Sequence, residues 1–136
     1  MELSPDGKWL SFMNAGWDAE RVLRVVPVSG GNVRDVWNFG ETKAGTPGGN
    51  HAWSPDGKYI LYSAPDPSDR PHWKLWRVAV DGGKPEKLGL ERRWGIGHLT
   101  IRPDGRQLAF AGRGGPSSSS EVWVMENFLP AQKEVE

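Results

Sequence analysis

One turn recurs three times along this chain and limits what it can fold into. Ser4-Pro5-Asp6-Gly7-Lys8-Trp9-Leu10-Ser11-Phe12 returns as Ser54-Pro55-Asp56-Gly57-Lys58-Tyr59-Ile60-Leu61-Tyr62. It returns again as Arg102-Pro103-Asp104-Gly105-Arg106-Gln107-Leu108-Ala109-Phe110. Gly7, Gly57 and Gly105 lie 50 and 48 residues apart. In each copy proline fixes φ, aspartate accepts a local backbone bond and glycine tolerates a positive φ. Asp-Gly flanked by apolar segments is a hairpin signal.

A second signal keeps the same phase. Val26-Pro27-Val28-Ser29-Gly30-Gly31 matches Val78-Ala79-Val80-Asp81-Gly82-Gly83, and the third copy reads Val122-Trp123-Val124-Met125-Glu126-Asn127 before Phe128. Gly-Gly has gone there, so the repeat stops early in its third round. The segments between the turns are rich in β-formers and have few polar interruptions, which predicts strands covered on both faces. Each unit should hold up to four strands. The inner strand is 49–53 or 97–101, and the second follows Pro-Asp-Gly. The third (73–80 in the middle copy) ends at Gly-Gly. The fourth is a short polar edge at 84–88, where Pro85 suits an unpaired border. Four strands in about 40–50 residues, repeated, is the layout of propeller blades. No sustained helical period competes with it.

Composition agrees. The 136 residues carry 18 glycines, 11 prolines and 8 tryptophans, a mixture of tight turns and aromatic strands. Lys and Arg total 17, as do Asp and Glu, so the basic surplus of a nucleic-acid binder is missing. There is no cysteine, which excludes disulfides and thiolate metal sites. No apolar run reaches the roughly 20 residues of a membrane span, and the first residues lack the pattern of a signal peptide.

Trp53-Ser54-Pro55-Asp56-Gly57-Lys58-Tyr59-Ile60 resembles the PD40, or WD40-like, repeat. That repeat occurs in TolB-type propellers, in the propeller domains of prolyl-oligopeptidase-type peptidases and in sensor regions of some bacterial multidomain proteins. The resemblance runs from Leu3 to about Pro130, and the ending 121–130 is similar to the end of such propellers. It implies an all-β fold of about three four-stranded antiparallel blades, the first and last incomplete. The blades are expected at about 1–48, 49–95 and 96–130, followed by a tail at 131–136 that forms at most a frayed helix. It also implies a protein-docking role and a bacterial periplasmic or extracytoplasmic setting. Closed propellers need about 4–8 blades. Three arrangements stay open: the carboxyl-terminal piece of a longer propeller, self-association such as two chains giving about six blades, or an open solenoid-like array.

The candidate site residues follow from that frame. Pro5, Asp6, Gly7, Pro55, Asp56, Gly57, Pro103, Asp104 and Gly105 read as structural turns, because each Asp sits at the same turn of a different blade. His51 and His98 fall on the inner strands, where a hydrogen bond within the blade or a place in the channel wall is expected, with the two imidazoles meeting in the channel as the alternative; both are candidate binding residues at the propeller mouth. His72 lies in a Pro-flanked loop and is expected to be solvated. The loops 41–50 and 91–96 should ring one mouth of the propeller, and Arg92, Arg93 and Trp94 there are residue types that anchor protein contacts. Trp94 packed between blades is the alternative. Trp9, Trp53, Trp76 and Trp123 are expected in the core. Gly112-Arg113-Gly114-Gly115-Pro116 and the following serines read as a solvated loop rather than a phosphate cradle, since no helix follows. There is no Gly-x-Ser-x-Gly elbow and no Walker loop. The expectation is a non-catalytic binding module without metal or cofactor that takes a protein or peptide partner. An accessory propeller of a peptidase or sensor is the alternative, gating substrate or sensing a small ligand.

Overall fold

The computed structural model describes residues 1–14, 20–41, 50–66, 68, 72–113 and 119–130. Among the described residues, eleven strands form three antiparallel meanders. The first blade contains β1 (Glu2–Leu3), β2 (Trp9–Met13), β3 (Glu20–Pro27) and β4 (Arg34–Glu41). The second contains β5 (His51–Trp53), β6 (Tyr59–Pro65), β7 (Trp73–Ala79) and β8 (Glu86–Arg92). The third contains β9 (Ile96–Ile101), β10 (Gln107–Arg113) and β11 (Ser120–Glu126), with no fourth strand among the described residues. The all-β blade architecture matches the expectation, including the two-residue inner strand of the first blade and the three strands of the last. The frayed tail at 131–136 lies outside the described residues.

The repeated turn explains how each blade begins. In the first copy the Ser4 hydroxyl donates to Asp6 Oδ1 (2.6 Å) and accepts from the Trp9 amide (2.9 Å), while Asp6 Oδ1 accepts from the Lys8 amide (3.0 Å). Ser54, Asp56, Lys58 and Tyr59 repeat this clamp at 2.5, 2.9 and 3.0 Å. Gly7, Gly57 and Gly105 adopt φ near +70° (71°, 70° and 73°), the conformation only glycine holds cheaply. The third copy has no serine. Arg102 Nε reaches Asp104 Oδ2 at 3.0 Å instead, and the Arg106 amide still donates to Asp104 Oδ1 (2.9 Å).

The period of two along β6 places neighbouring residues in different cores. Ile60, Tyr62 and Ala64 pack with Trp53, Val78 and Val80 against Leu23, Val25 and Val36 of the first blade. Leu61 points the other way, joining Ala52, Leu75 and Leu88 against Ile96, Leu99, Leu108, Phe110 and Phe128. Leu61 and Leu75 are fully buried, each stabilising by about 1.5–3 kcal/mol relative to exposure. The middle blade is therefore a sheet covered on both faces.

Two expectations need correction. The fourth strand of the middle blade is not the short segment 84–88. It runs from Glu86 to Arg92, because Leu88 and Leu90 keep its inward alternation and carry the pairing on to Trp73↔Arg92. Arg92 thus belongs to a strand rather than a loop. Trp123 is not core either; it is 45% exposed, since among the described residues no outer strand lies beside β11. Where the first two blades turn on Gly30 and Gly82 toward a fourth strand, the third turns on Asn127 (φ 52°) and Phe128 plunges into the core. Burying that ring takes the place of building a hairpin.

Candidate functional site

The strand ends opposite the Pro-Asp-Gly turns of the third blade enclose a cleft of about 340 Å³. Its walls come from Asn50, Trp94, His98, Ser120 and the backbone-rich stretch Gly95–Gly97, closed at the back by Ala111 and Gly112. Gly97 and Gly112 leave part of its wall without side chains. A Cβ on Gly97 would meet Asn50 Nδ2 at 3.5 Å, and one on Gly112 would meet the Gly95 carbonyl at 3.5 Å and Arg92 Cζ at 3.6 Å.

His98 enters this cleft through a backbone irregularity. The pairing of β9 with β10 shifts register between Ala109 and Ala111, so His98 and Leu99 together oppose Phe110. This is a β-bulge, a device that re-aims side chains at barrel and sheet rims. His98 sits at φ 50°, an uncommon conformation for a residue with a Cβ. Its side chain is exposed while Leu99 is buried.

His51 goes elsewhere. It is 2% exposed, with Nε2 2.8 Å from the Ser11 hydroxyl of the first blade. The same hydroxyl accepts the Trp53 indole N–H (2.8 Å) and lies 3.2 Å from the Glu2 carbonyl. His51 is thus part of a buried polar seam between two blades and does not meet His98 in a channel. The repeat phase gives the reason. Counting from Pro55 and Pro103, His98 is equivalent to Asn50 and His51 to Leu99. A one-residue offset in a strand changes faces.

The three mouth residues divide in the same way. The Arg92 guanidinium lies over Trp123 (4.6 Å) and Phe110 (5.4 Å), bridging the second blade to the third. Arg93 is exposed, 5.4 Å from the Trp94 ring. Trp94 is half-buried in the cleft wall, between the two alternatives expected for it. The other loop of this mouth, 42–49, and the Gly-Ser segment 114–118 lie outside the described residues.

The Pro-Asp-Gly end carries a repeated feature that the sequence reading passed over. A cleft of about 230 Å³ lies between the first two turns and one of about 400 Å³ between the second and third. Each contains an arginine stacked on the aromatic residue two positions after the glycine: Arg34 on Trp9 (5.7 Å) and Arg77 on Tyr59 (4.3 Å). Arg34 also donates to the Val80 carbonyl of the next blade (2.6 Å). The signal was present as an aromatic residue at a fixed offset, but its arginine partners come from different strands.

Charged groups outside these clefts form one concentrated network. Asp66 is nearly buried, and its Oδ2 lies 2.6 Å from Lys87 Nζ and 3.4 Å from Lys74 Nζ. Lys74 and His72 both approach Glu91 at 3.6 Å, so His72 is not simply solvated. The Lys87 ammonium, aided by the Ser68 amide and hydroxyl, holds the Asp66 carboxyl far below the usual carboxylate range. The Ser4 hydroxyl and Lys8 amide likewise lower Asp6. At Asp56 burial pushes upward, but the Ser54 hydroxyl and Lys58 amide outweigh it and the value falls. Among the described residues, no group of three or more His, Asp or Glu is placed to hold a metal ion. No helix there is long and apolar enough to cross a membrane.

No family model matches the sequence, and no curated protein matches it. Solved structures do. A TolB-type protein from Agrobacterium tumefaciens superposes with a TM-score of 0.69 at 21% identity, over 92% of this chain and 44% of its own. TolB from Acinetobacter baumannii gives 0.68 at 19% identity, over 91% and 28%. The isopeptidase AtxE2, solved with astexin3-dC4 bound, gives 0.54 at 22% identity, over 82% and 20%. The chain therefore spans less than half the length of each of these structures. With three antiparallel blades stacked through two apolar cores, it has the TolB-like β-propeller fold.

Proposed function

We propose that this chain is a non-catalytic propeller module that binds a protein or peptide segment at the Trp94–His98 cleft. The observation that carries the reading is the bulge at His98. It holds an imidazole at a positive φ beside an indole, in a glycine-lined cleft at the rim of the scaffold. Strain of this kind clusters at ligand sites, and binding residues concentrate on rims positioned by rigid strands. Asn50, Ser120 and the glycine-rich backbone offer hydrogen bonds to an extended main chain. Trp94, backed by Arg93, offers a flat apolar wall.

Selection from a displayed peptide library against the purified chain tests this. The expected result is enriched peptides whose binding falls at least tenfold in Trp94→Ala and His98→Gly. Lys84→Ala, at an exposed turn away from the cleft, should leave binding unchanged. Enriched peptides indifferent to both cleft changes would overturn the reading. Arg92 is left out of the test because it packs on Phe110 and Trp123.

A second reading has one observation behind it, the similarity to the isopeptidase AtxE2. In that reading the blades belong to an enzyme and gate substrate access to a catalytic domain. A nucleophile elbow encoded in the same reading frame would favour it over a stand-alone binding module.

A further inference from the structure

The chain contains four Asp-Gly pairs, at 6–7, 56–57, 81–82 and 104–105. In such a pair the glycine nitrogen can reach the aspartate side chain, because no Cβ on the glycine obstructs the approach. All four glycine amides are engaged in the same manner. Gly7 donates to the Ser4 carbonyl, Gly57 to Ser54, Gly82 to Ala79 and Gly105 to Arg102, at 2.8–3.0 Å. The nitrogen therefore does not distinguish one pair from another.

The carboxyls do. Asp6 Oδ1 accepts from the Ser4 hydroxyl and the Lys8 amide, and Asp56 Oδ1 accepts from the Ser54 hydroxyl and the Lys58 amide. Asp104 takes the Arg106 amide on one oxygen and the Arg102 guanidinium on the other. Two bonds hold each of these side chains toward the amide two residues on, and so away from the adjacent glycine nitrogen. Asp81 is exposed, and among the described residues no donor or cation holds its carboxyl. Its neighbours differ as well. Val80 stands where the other three pairs have proline, and Gly83 stands where they have Lys or Arg. Gly82 and Gly83 lie at φ 107° and 117°, and two successive glycines give the backbone beside Asp81 a wide range.

We propose that Asp81–Gly82 is a modification site, where the folded chain rearranges without an enzyme to an isoaspartyl linkage while the other three pairs are protected by their turns. The Gly82 nitrogen attacks Asp81 Cγ and loses its proton, one carboxyl oxygen leaves as water, and a five-membered succinimide closes. Water then adds at the Asp81 main-chain carbonyl and breaks its bond to the Gly82 nitrogen. Asp81 stays joined to Gly82 through Cγ and carries a free α-carboxylate. One water leaves and one returns, the charge is unchanged, and no oxidant or cofactor takes part. The product lengthens the main chain of the β7–β8 turn by one carbon, and turn length sets hairpin register. Val80, next to Asp81, is 6% exposed, and its carbonyl accepts from Arg34 Nη1 of the first blade at 2.6 Å. Rearrangement thus loosens a tie between the first two blades. This inference is independent of the peptide-binding reading.

Prolonged incubation of the purified chain at neutral pH tests it, followed by peptide mapping with electron-transfer fragmentation, which separates the two linkages at equal mass. Isoaspartate should accumulate at Asp81 about tenfold faster than at Asp6, Asp56 or Asp104. In guanidinium, where the turns are lost, those three should accelerate toward the Asp81 rate. The thermal midpoint of the wild type should fall during the incubation, and that of Asp81→Glu, which cannot close the five-membered ring, should hold. Folded protein without isoaspartate at Asp81, or with similar amounts at all four pairs, would overturn the proposal. Rates at the other three that stay low in guanidinium would overturn protection by the turns. Midpoints that fall together in wild type and Asp81→Glu would overturn the effect on the blade boundary.

Discussion

The Trp53 indole donates to the Ser11 hydroxyl across 2.8 Å, joining the inner strand of the second blade to the second strand of the first. His51 approaches the same oxygen at the same distance. One small side chain therefore serves two large ones in a buried seam, where losing a partner costs the full desolvation of the group left behind.

Ser11→Ala should lower the unfolding free energy by about 1–3 kcal/mol. Adding Trp53→Phe to that variant should recover part of the loss, since without Ser11 the indole N–H keeps the longer 3.3 Å bond to the Glu2 carbonyl in place of the shorter one, and phenylalanine removes the donor. Urea denaturation of both variants checks this. A double variant no more stable than Ser11→Ala would show that the seam does not depend on the indole bond.

Ile60 and Leu61 are neighbours in sequence, but they pack into separate cores. Ile60→Val should cost about 0.5–1.5 kcal/mol and Leu61→Ala about 2–5 kcal/mol. The two costs should add to within about 0.5 kcal/mol, because the two side chains share no cluster. Denaturant unfolding of the singles and the double tests the additivity, with a coupling well above that value as the contrary result.

Replacing His98 with glycine should leave stability unchanged or raise it by up to about 2.5 kcal/mol. Relief of about 1–3 kcal/mol of backbone strain is offset in part by the roughly 0.5–1 kcal/mol entropic cost of glycine. His98→Val should be clearly destabilising, because a β-branched residue tolerates φ 50° poorly. Comparing their thermal midpoints separates the role of the backbone from that of the imidazole.

Asp66, Asp6 and Asp56 all have carboxyls lowered from the ordinary 3.8. Groups of this kind bind fewer protons folded than unfolded. Their stabilisation is complete above the ordinary value and drains away as the pH falls through it toward the lowered ones. Stability should therefore be flat near neutrality and decline below about pH 4. In Asp66→Asn the decline should be shallower, and denaturation midpoints measured from pH 7 to pH 2 report it. An unchanged acid limb would mean that the Lys87 contact does not hold in solution.

The parts legible in the sequence were those written in short-range geometry. Pro-Asp-Gly carries its own hydrogen bonds within six residues, so the turns, the blade count and the missing outer strand could be read directly. The site was less legible because it depends on register. Nothing local distinguishes His51 from His98. Only the repeat phase and the bulge opposite Phe110 send one into a seam and the other to the rim. Arg92 looked like a loop residue because strand β8 continues through Gly89, a residue that ordinarily weakens a strand. Its guanidinium finds Trp123 across a blade boundary that no sequence window spans.

The third turn differs from the first two in being held by a guanidinium instead of a serine hydroxyl. Hydroxyl-to-carboxylate bonds within a turn are indifferent to dissolved ions at moderate concentration. An exposed Arg102–Asp104 pair is screened once the Debye length shrinks to a few ångströms, about 3 Å at 1 M salt. Raised ionic strength should therefore weaken the last blade's turn more than the other two, while the Arg106 amide bond to Asp104 still holds it.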